Sequence, residues 1–217
     1  MKAIKTVYLS SPNAKLQKSS AIIYSFGLPA ISTCPNAGAC KEGCYGTRGH
    51  YLFKNVREHR ERNYSLSMSN EFERVICSEV QYLDGVYRNL MIRIHDTGDF
   101  YSKEYANKWI EIAKANPEVI FYAYTKMIKM FRELVLPENF RIIQSFGGKE
   151  DKHIERNRAH AIVIPNEEEL PAGYTIANDD DTTFMSTNKI AIVYHGCKKW
   201  ENSGFGKLYI AGTYSEY

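Results

Sequence analysis

Cys34, Cys40 and Cys44 stand close together in the run STCPNAGACKEGCYGTRGHY, spaced as C-x5-C-x3-C among glycines, alanine and proline. Thiolates at such spacing bind metal. Structural zinc usually takes pairs of Cys or His two to four residues apart with a second pair elsewhere, and this chain offers no second close pair. Three thiolates on one loop suit an iron–sulfur cluster, in which each iron takes one sulfur ligand, and Gly38, Ala39 and Gly43 let backbone amides approach the sulfides. A [4Fe–4S] cluster has a fourth corner. Cys197, in YHGCKKW, is the remaining cysteine placed to reach it, with His195 as a second candidate. A closed cluster transfers electrons or organises structure, whereas an open iron would receive a substrate or S-adenosylmethionine. The closed form is favoured, because a thiol beside an unsaturated iron binds it. Zinc on the same loop and a three-iron cluster on the triad alone remain open. Cys77 reads as a small core residue beside Ile76.

The elements that must position this loop follow from hydrophobic periodicity. The apolar run AIIYSFGLPAI leads into the cysteines as a first strand. Phe72, Val75, Ile76, Val80 and Leu83 share a helix face, and LMIRIH (Leu90 to His95) follows as a strand. Ser102 caps a helix with a stripe of Tyr105, Trp109, Ile112 and Ala113, which Pro117 closes before the strand Val119 to Tyr124. After a short MIKMFREL helix come the strand Phe140 to Phe146, a charged KEDKHIERNRA segment expected to be helical, and the strand Ala161 to Pro165. Ile190 to His195 and Lys207 to Gly212 are expected as the last two strands.

Strands recurring with helices between them imply parallel pairing by right-handed crossovers, so the expectation is an α/β fold, either barrel-like or doubly wound. In both architectures chemistry gathers at the C-terminal strand ends. Those ends supply His95, Asp96 and Asp99, then Thr125 and Lys126, Ser145 with Gly147, Asn166, and finally His195 with Cys197. His95, Asp96, Asp99 and Lys126 are the candidates for chemistry, with Gly98, Ser145 and Gly147 as candidates for cofactor binding. Each has an ordinary alternative: a carboxylate caps a helix, a lysine is solvated, a glycine pair makes a turn.

Composition sets the remaining bounds. A chain of 217 residues with 44% hydrophobic and 24% charged residues is globular, and without a Ser/Gly- or Pro-rich linker one domain over residues 1–217 is expected. A net charge of +3 is too small to specify a nucleic-acid partner. The N-terminal MKAIKTVYLSSPNAKL lacks the apolar core of about 7–15 residues that a secretory signal needs, and no stretch approaches the roughly 20 apolar residues of a membrane span. A soluble cytoplasmic protein with reduced thiols is therefore expected, which favours a metal site over disulfides.

The runs SFGLPAISTCPNAGACKEGCYG and IRIHDTGDFYSKEYANKWIEIAKANPEVIFYAYTK resemble the phage and mobile-element family called gene product eighty-eight, with the match returning around Cys197 to Trp200. The resemblance implies a partial (β/α) barrel akin to radical S-adenosylmethionine enzymes, mostly parallel, with the cysteine loop after an early strand and a Gly-containing acidic segment, Asp96 to Asp99, after the next. It also implies a phage-encoded protein acting in the host cytoplasm. Its partner would be an electron donor or a small molecule. A different class of function, a zinc-bearing nucleic-acid module, would use Arg48, His50, Lys54, Arg57, Arg60 and Arg62 as a basic face on the helix after the loop. Glu58 and Glu61 interrupt that face, as in an ordinary solvated helix.

Overall fold

The computed structural model describes residues 6–12, 21–178, 181–196 and 198–210. Seven strands form one sheet: β1 (Ile22–Phe26), β2 (Leu90–Ile94), β3 (Ile120–Thr125), β4 (Phe140–Ser145), β5 (His160–Ile164), β6 (Thr175–Ile176) and β7 (Lys189–Val193). Their spatial order is β1-β2-β3-β4-β5-β7-β6 and every adjacent pair is parallel. The sheet curls into a half-barrel, so the partial α/β barrel expected from the strand–helix alternation is observed at that level. Strands with both faces covered read as nearly continuous apolar runs, as IIYSF and LMIRI do but for Ser25 and Arg93.

The helices are α1 (Lys54–Met68), α2 (Phe72–Asp84), α3 (Lys103–Lys114), α4 (Ile128–Arg132) and α5 (Gly204–Ile210). Helix α2 buries Phe72, Ile76, Val80 and Leu83, the i, i+4, i+8, i+11 stripe of one face. Helix α3 begins where the Ser102 hydroxyl accepts the Tyr105 amide at 3.1 Å, and it buries Tyr105, Trp109, Ile112 and Ala113. Both pack on the outer face of β1 to β3. There Trp109 meets Phe26 and Phe72 edge to face, each with ring centroids 5.3 Å apart. The inner face is filled by Ile23, Met91, Tyr122, Ile143 and Ile190, with Phe184 stacked on Tyr122 at 4.3 Å. Among the described residues no helix is long and apolar enough to cross a membrane.

Two sequence expectations are corrected. The charged segment after β4 holds only a short 3-10 turn, Asp151–His153. Its charged groups cap backbone instead of lining a helix: the Asp151 carboxylate accepts the Gly147 and Gly148 amides at 2.8 Å, and Glu150 accepts the Lys129 amide at 2.9 Å. The segment also lacks an apolar stripe to bury. The expected strand from Lys207 falls within α5 as far as Ile210, while its last two residues lie outside the described residues. The Ser203 hydroxyl caps this helix by accepting the Gly206 amide at 2.9 Å, and Phe205 supplies its buried contact.

Candidate metal centre

Leaving β1, the chain crosses Gly27 to Thr33 and winds through short 3-10 turns at Ala39–Gly43, Tyr45–Thr47 and Gly49–Leu52 before α1. This carries the three cysteines over the C-terminal strand ends. The loop is stitched to its neighbours by main chain. On the β2 side the Leu28 amide donates to Thr97 at 2.8 Å and the Asp99 amide to Thr33 at 3.2 Å. On the β4 side the Cys40 amide donates to Gly147 at 3.2 Å, and the Lys149 amide donates to Asn36 at 3.0 Å. The β3 end joins through Asn36 Nδ2, 3.3 Å from the Lys126 carbonyl.

Glycines permit this approach. Gly98 has φ +88°, and a Cβ there would stand 2.6 Å from Leu28 Cβ and 2.7 Å from Thr33 Oγ1. A Cβ on Gly38 would lie 2.9 Å from the Gly148 carbonyl carbon. Gly98 and Gly147, candidates for cofactor contact in the sequence, thus bring backbone against backbone and, at Gly147, backbone against the Phe205 ring.

Beneath the loop lies a buried polar brace. Asp99 Oδ1 accepts the Thr125 hydroxyl at 2.6 Å and the Phe100 amide at 2.8 Å, and Oδ2 accepts the Lys126 amide at 2.9 Å. Burial still pushes the Asp99 carboxyl above the usual carboxylate range, against the pull of those donors. Lys126 Nζ donates to Ser145 Oγ at 2.9 Å and to the Phe146 carbonyl at 3.0 Å. Asp99, Lys126 and Ser145 do converge, as expected, but their polar atoms are committed to holding strand ends together.

Cys34, Cys40 and Cys44 are half-buried and in no disulfide. Burial first, then the neighbouring Asp99, push the Cys34 thiol up to about 12, with Cys40 and Cys44 adding to the effect. A backbone hydrogen bond with Ile31 works the other way without offsetting them, so the Cys34 thiol is protonated at neutral pH. A bound metal inverts that balance by stabilising the thiolates. Among the described residues no three His, Cys, Asp or Glu side chains are drawn tightly enough to grip a single ion. Tetrahedral zinc would require sulfurs about 3.8 Å apart, given Zn–S near 2.3 Å. A cluster asks less, because each thiolate binds its own iron and the ligands stand farther apart. Three soft donors on one loop fit that demand.

Two of the remaining candidates point away from the cysteines. His95, φ +67°, is buried among Phe100 and Tyr105, with Nε2 2.9 Å from the Tyr105 hydroxyl and Nδ1 without a partner. Burial drives its imidazolium pKa down to about 3, so the ring is neutral. Asp96 pairs with Arg60 at 2.6 Å, and its carbonyl accepts the Tyr45 hydroxyl. Arg60, only 11% exposed and also bonded to Thr97, is therefore turned inward. Arg62 lies over the Tyr8 ring and Lys54 pairs with Glu58. The basic run on α1 does not form one outward face.

Cys197 lies outside the described residues. Its described neighbours reach the loop: Tyr194 packs its hydroxyl where a Gly43 Cβ would be, 2.8 Å away, and the Lys198 charge is felt by Glu42. The His195 ring sits 5.8 Å from that of Tyr45, the residue after Cys44. His195 Nδ1 donates to the Val193 carbonyl at 3.0 Å, which leaves the lone pair of the neutral ring on Nε2, the form that ligates metal.

Sequence reasoning missed a polar layer inside the half-barrel. Arg93 projects from β2 to pair with Asp181 at 3.0 Å, Asp181 also accepts the Tyr122 hydroxyl at 2.7 Å, and the Tyr124 ring lies 5.9 Å from the guanidinium. A charged residue within the otherwise apolar LMIRI was the available signal.

An all-parallel α/β half-barrel with a thiol-bearing loop tied across its C-terminal rim is the class these features define. The family model described as Gene product 88 matches residues 5–206, and the chain belongs to that family. It is similar to the Gene 88 protein of Mycobacterium phage L5, 29% identical over 116 residues that make up 49% of this chain and 48% of the relative. The chain spans about half the length of that curated relative. No solved structure matches.

Proposed function

We propose that this protein is an iron–sulfur protein in which Cys34, Cys40 and Cys44 hold a cluster, [4Fe–4S], at the half-barrel rim. The observation that carries this reading is the placement of three cysteines on one loop, tied by main chain to the ends of β2 and β4, within electrostatic reach of one another. Cys197 is the proposed fourth ligand, with His195 Nε2 as its rival. When bound, such a cluster supplies one-electron transfer. The chain's own groups fix where it sits: Asp99, Thr125, Lys126 and Ser145 hold the strand ends in register beneath the loop. Arg93 and Asp181 set a polar floor inside the barrel that suits a small polar molecule.

A radical S-adenosylmethionine enzyme, with one iron left open, is the second reading, favoured by the same combination of half-barrel, rim loop and polar interior. A zinc-bearing nucleic-acid module has less support, since Arg60 is spent on Asp96 and Thr97. Anaerobic purification with iron and acid-labile sulfide analysis and paramagnetic resonance tests the proposal. Stoichiometric iron and sulfide with a resonance of the reduced cluster are expected. Colourless, zinc-loaded protein from iron-replete cells would overturn it. A signal that shifts on adding S-adenosylmethionine, together with cleavage of that molecule, would move the protein to the open-iron reading.

A further inference from the structure

At the opposite end of the sheet the half-barrel is split. Strands β4 and β5 pair only through Gln144–His160 and Ser145–Ala161, whereas β3 and β4 pair over five positions. Below Gln144, β4 has no strand beside it on that edge, because β5 begins at His160. The gap forms a cavity of about 340 Å³ that adjoins a second of about 280 Å³, the two sharing Arg141, Phe184 and Asn188. Neither includes any residue of the cysteine loop.

The larger cavity has an uneven balance of charge. Arg132, Arg141 and Arg158 line it against a single carboxylate, Glu155, leaving two positive charges. One oxygen of that carboxylate serves three donors, all at long range: Arg158 Nε at 3.3 Å, Gln144 Nε2 at 3.4 Å and Arg132 Nε at 3.6 Å. Glu155 therefore orients two guanidiniums through Nε, and among the described residues their outer nitrogens make only the Arg132 Nη2 bond to the His153 carbonyl. Arg141 makes no ion pair among the described residues and stands exposed where the two cavities meet. The opposite wall is apolar, built from Phe131, Leu136, Phe140 and Ile142.

We propose that this cavity binds a small phosphate monoester with an apolar or aromatic body. Guanidinium forks match phosphate oxygens in geometry. A monoester carries about −1.5 to −2 charges at neutral pH, close to the two uncompensated positive charges of the site. An ester body would lie on Leu136 and Ile142, the half-buried part of the apolar wall, and the cavity falls within the roughly 300–1,000 Å³ range of small-molecule sites. The inference is independent of the cluster, since the cavity and the cysteine loop share no residue.

The test is calorimetric titration of the full chain with phenyl phosphate, with inorganic phosphate and phenol as its separated halves. Phenyl phosphate should bind more tightly than either half and weaken as salt is raised. Arg141→Gln and Arg158→Gln should each weaken it by about fivefold or more, as loss of a charge-assisted bond does. Arg74→Gln, a surface arginine on α2, should leave it unchanged. Unaltered melting temperatures would show that the variants remain folded, both arginines being solvent-facing. The proposal is overturned if phenyl phosphate does not bind, if inorganic phosphate binds equally well, if Arg74→Gln weakens binding as much as the cavity variants, or if only an acidic or phosphorylated peptide binds.

Discussion

The Thr125 hydroxyl donates to Asp99 Oδ1 at 2.6 Å, joining the turn after β2 to the end of β3 directly beneath the strand of chain that enters Cys34. Asp99 Oδ2 takes the Lys126 amide as well, so one carboxylate accepts from both sides of the joint. Asp99→Asn would turn a donor toward the Lys126 amide and should cost about 1–3 kcal/mol in denaturant unfolding. It should also lower the Cys34 thiol pKa, which Asp99 helps to raise, as thiol-reactivity profiles against pH would register. An unchanged profile with lowered stability would restrict Asp99 to bracing.

A pH dependence follows from His95. Its folded pKa is depressed to about 3 from an ordinary 6.5, so the folded state resists binding a proton that the unfolded chain accepts. The stabilisation is complete above about 6.5 and is lost as pH falls toward 3, at about 1.4 kcal/mol per pH unit. His95→Asn, a residue that tolerates positive φ, should flatten that part of the stability curve while losing the Tyr105 bond. A slope that persists in the variant would assign the acid sensitivity elsewhere.

Cluster content should depend on the loop cysteines and not on Cys77. Cys34→Ser, Cys40→Ser and Cys44→Ser are each expected to remove most iron and sulfide from anaerobic protein. Cys77, half-buried on α2 with Asn116 Nδ2 3.7 Å from its sulfur, should be replaceable by Ala at a cost of about 1 kcal/mol with iron retained. Equal iron loss from Cys77→Ala would count against the triad.

Gly98→Ala tests whether close approach of backbone sets the loop. The new Cβ would meet Leu28 and Thr33 at 2.6–2.7 Å on a residue with φ +88°. Strain of this kind costs about 1–3 kcal/mol, and the loop should shift away from β2, lowering cluster occupancy along with melting temperature. Full occupancy at reduced stability would separate the glycine from the metal site.

The polar floor of the barrel makes its own forecast. Asp181→Asn leaves the largely buried Arg93 guanidinium without its counter-charge and should destabilise by about 3 kcal/mol. Arg93→Met combined with Asp181→Asn should recover part of that loss, as a double-mutant cycle by chemical denaturation would measure.

How much of this was legible in the sequence depends on how local each signal was. Helix α3 carries its cap, stripe and stop within one stretch from Ser102 to Pro117, and β2 to β4 are largely apolar runs, so they stood out. The charged residues at 149–159 mimic a solvated helix by composition, but Asp151 caps the turn at Gly147 and Gly148, Glu150 accepts the distant Lys129 amide, and the Glu155 amide donates to the Gln144 side chain, pairings that helical periodicity does not record. Likewise, Gly204 and Gly206 masked α5, whose stability comes from the Ser203 cap and from Phe205 packing against Gly147. The cysteine spacing singled out the loop as a candidate; the partner of Arg93 is far along the chain and was silent.

The main-chain ties between the cysteine loop and the turn after β4 have a consequence for biosynthesis. The ribosome delivers Cys34, Cys40 and Cys44 early, yet Gly147 and Lys149, which receive or donate the loop's bonds, come much later. At elongation rates of about 5–20 residues per second, several seconds pass between Cys44 and Lys149. During that interval the nascent thiols have no docking partner on the β4 side and face solvent, scavenging oxidants, stray metals or an iron donor alike. A growing chain arrested before β4 would present the three cysteines on an open, unseated loop, and the proposed cluster would have to be loaded in competition with this exposure.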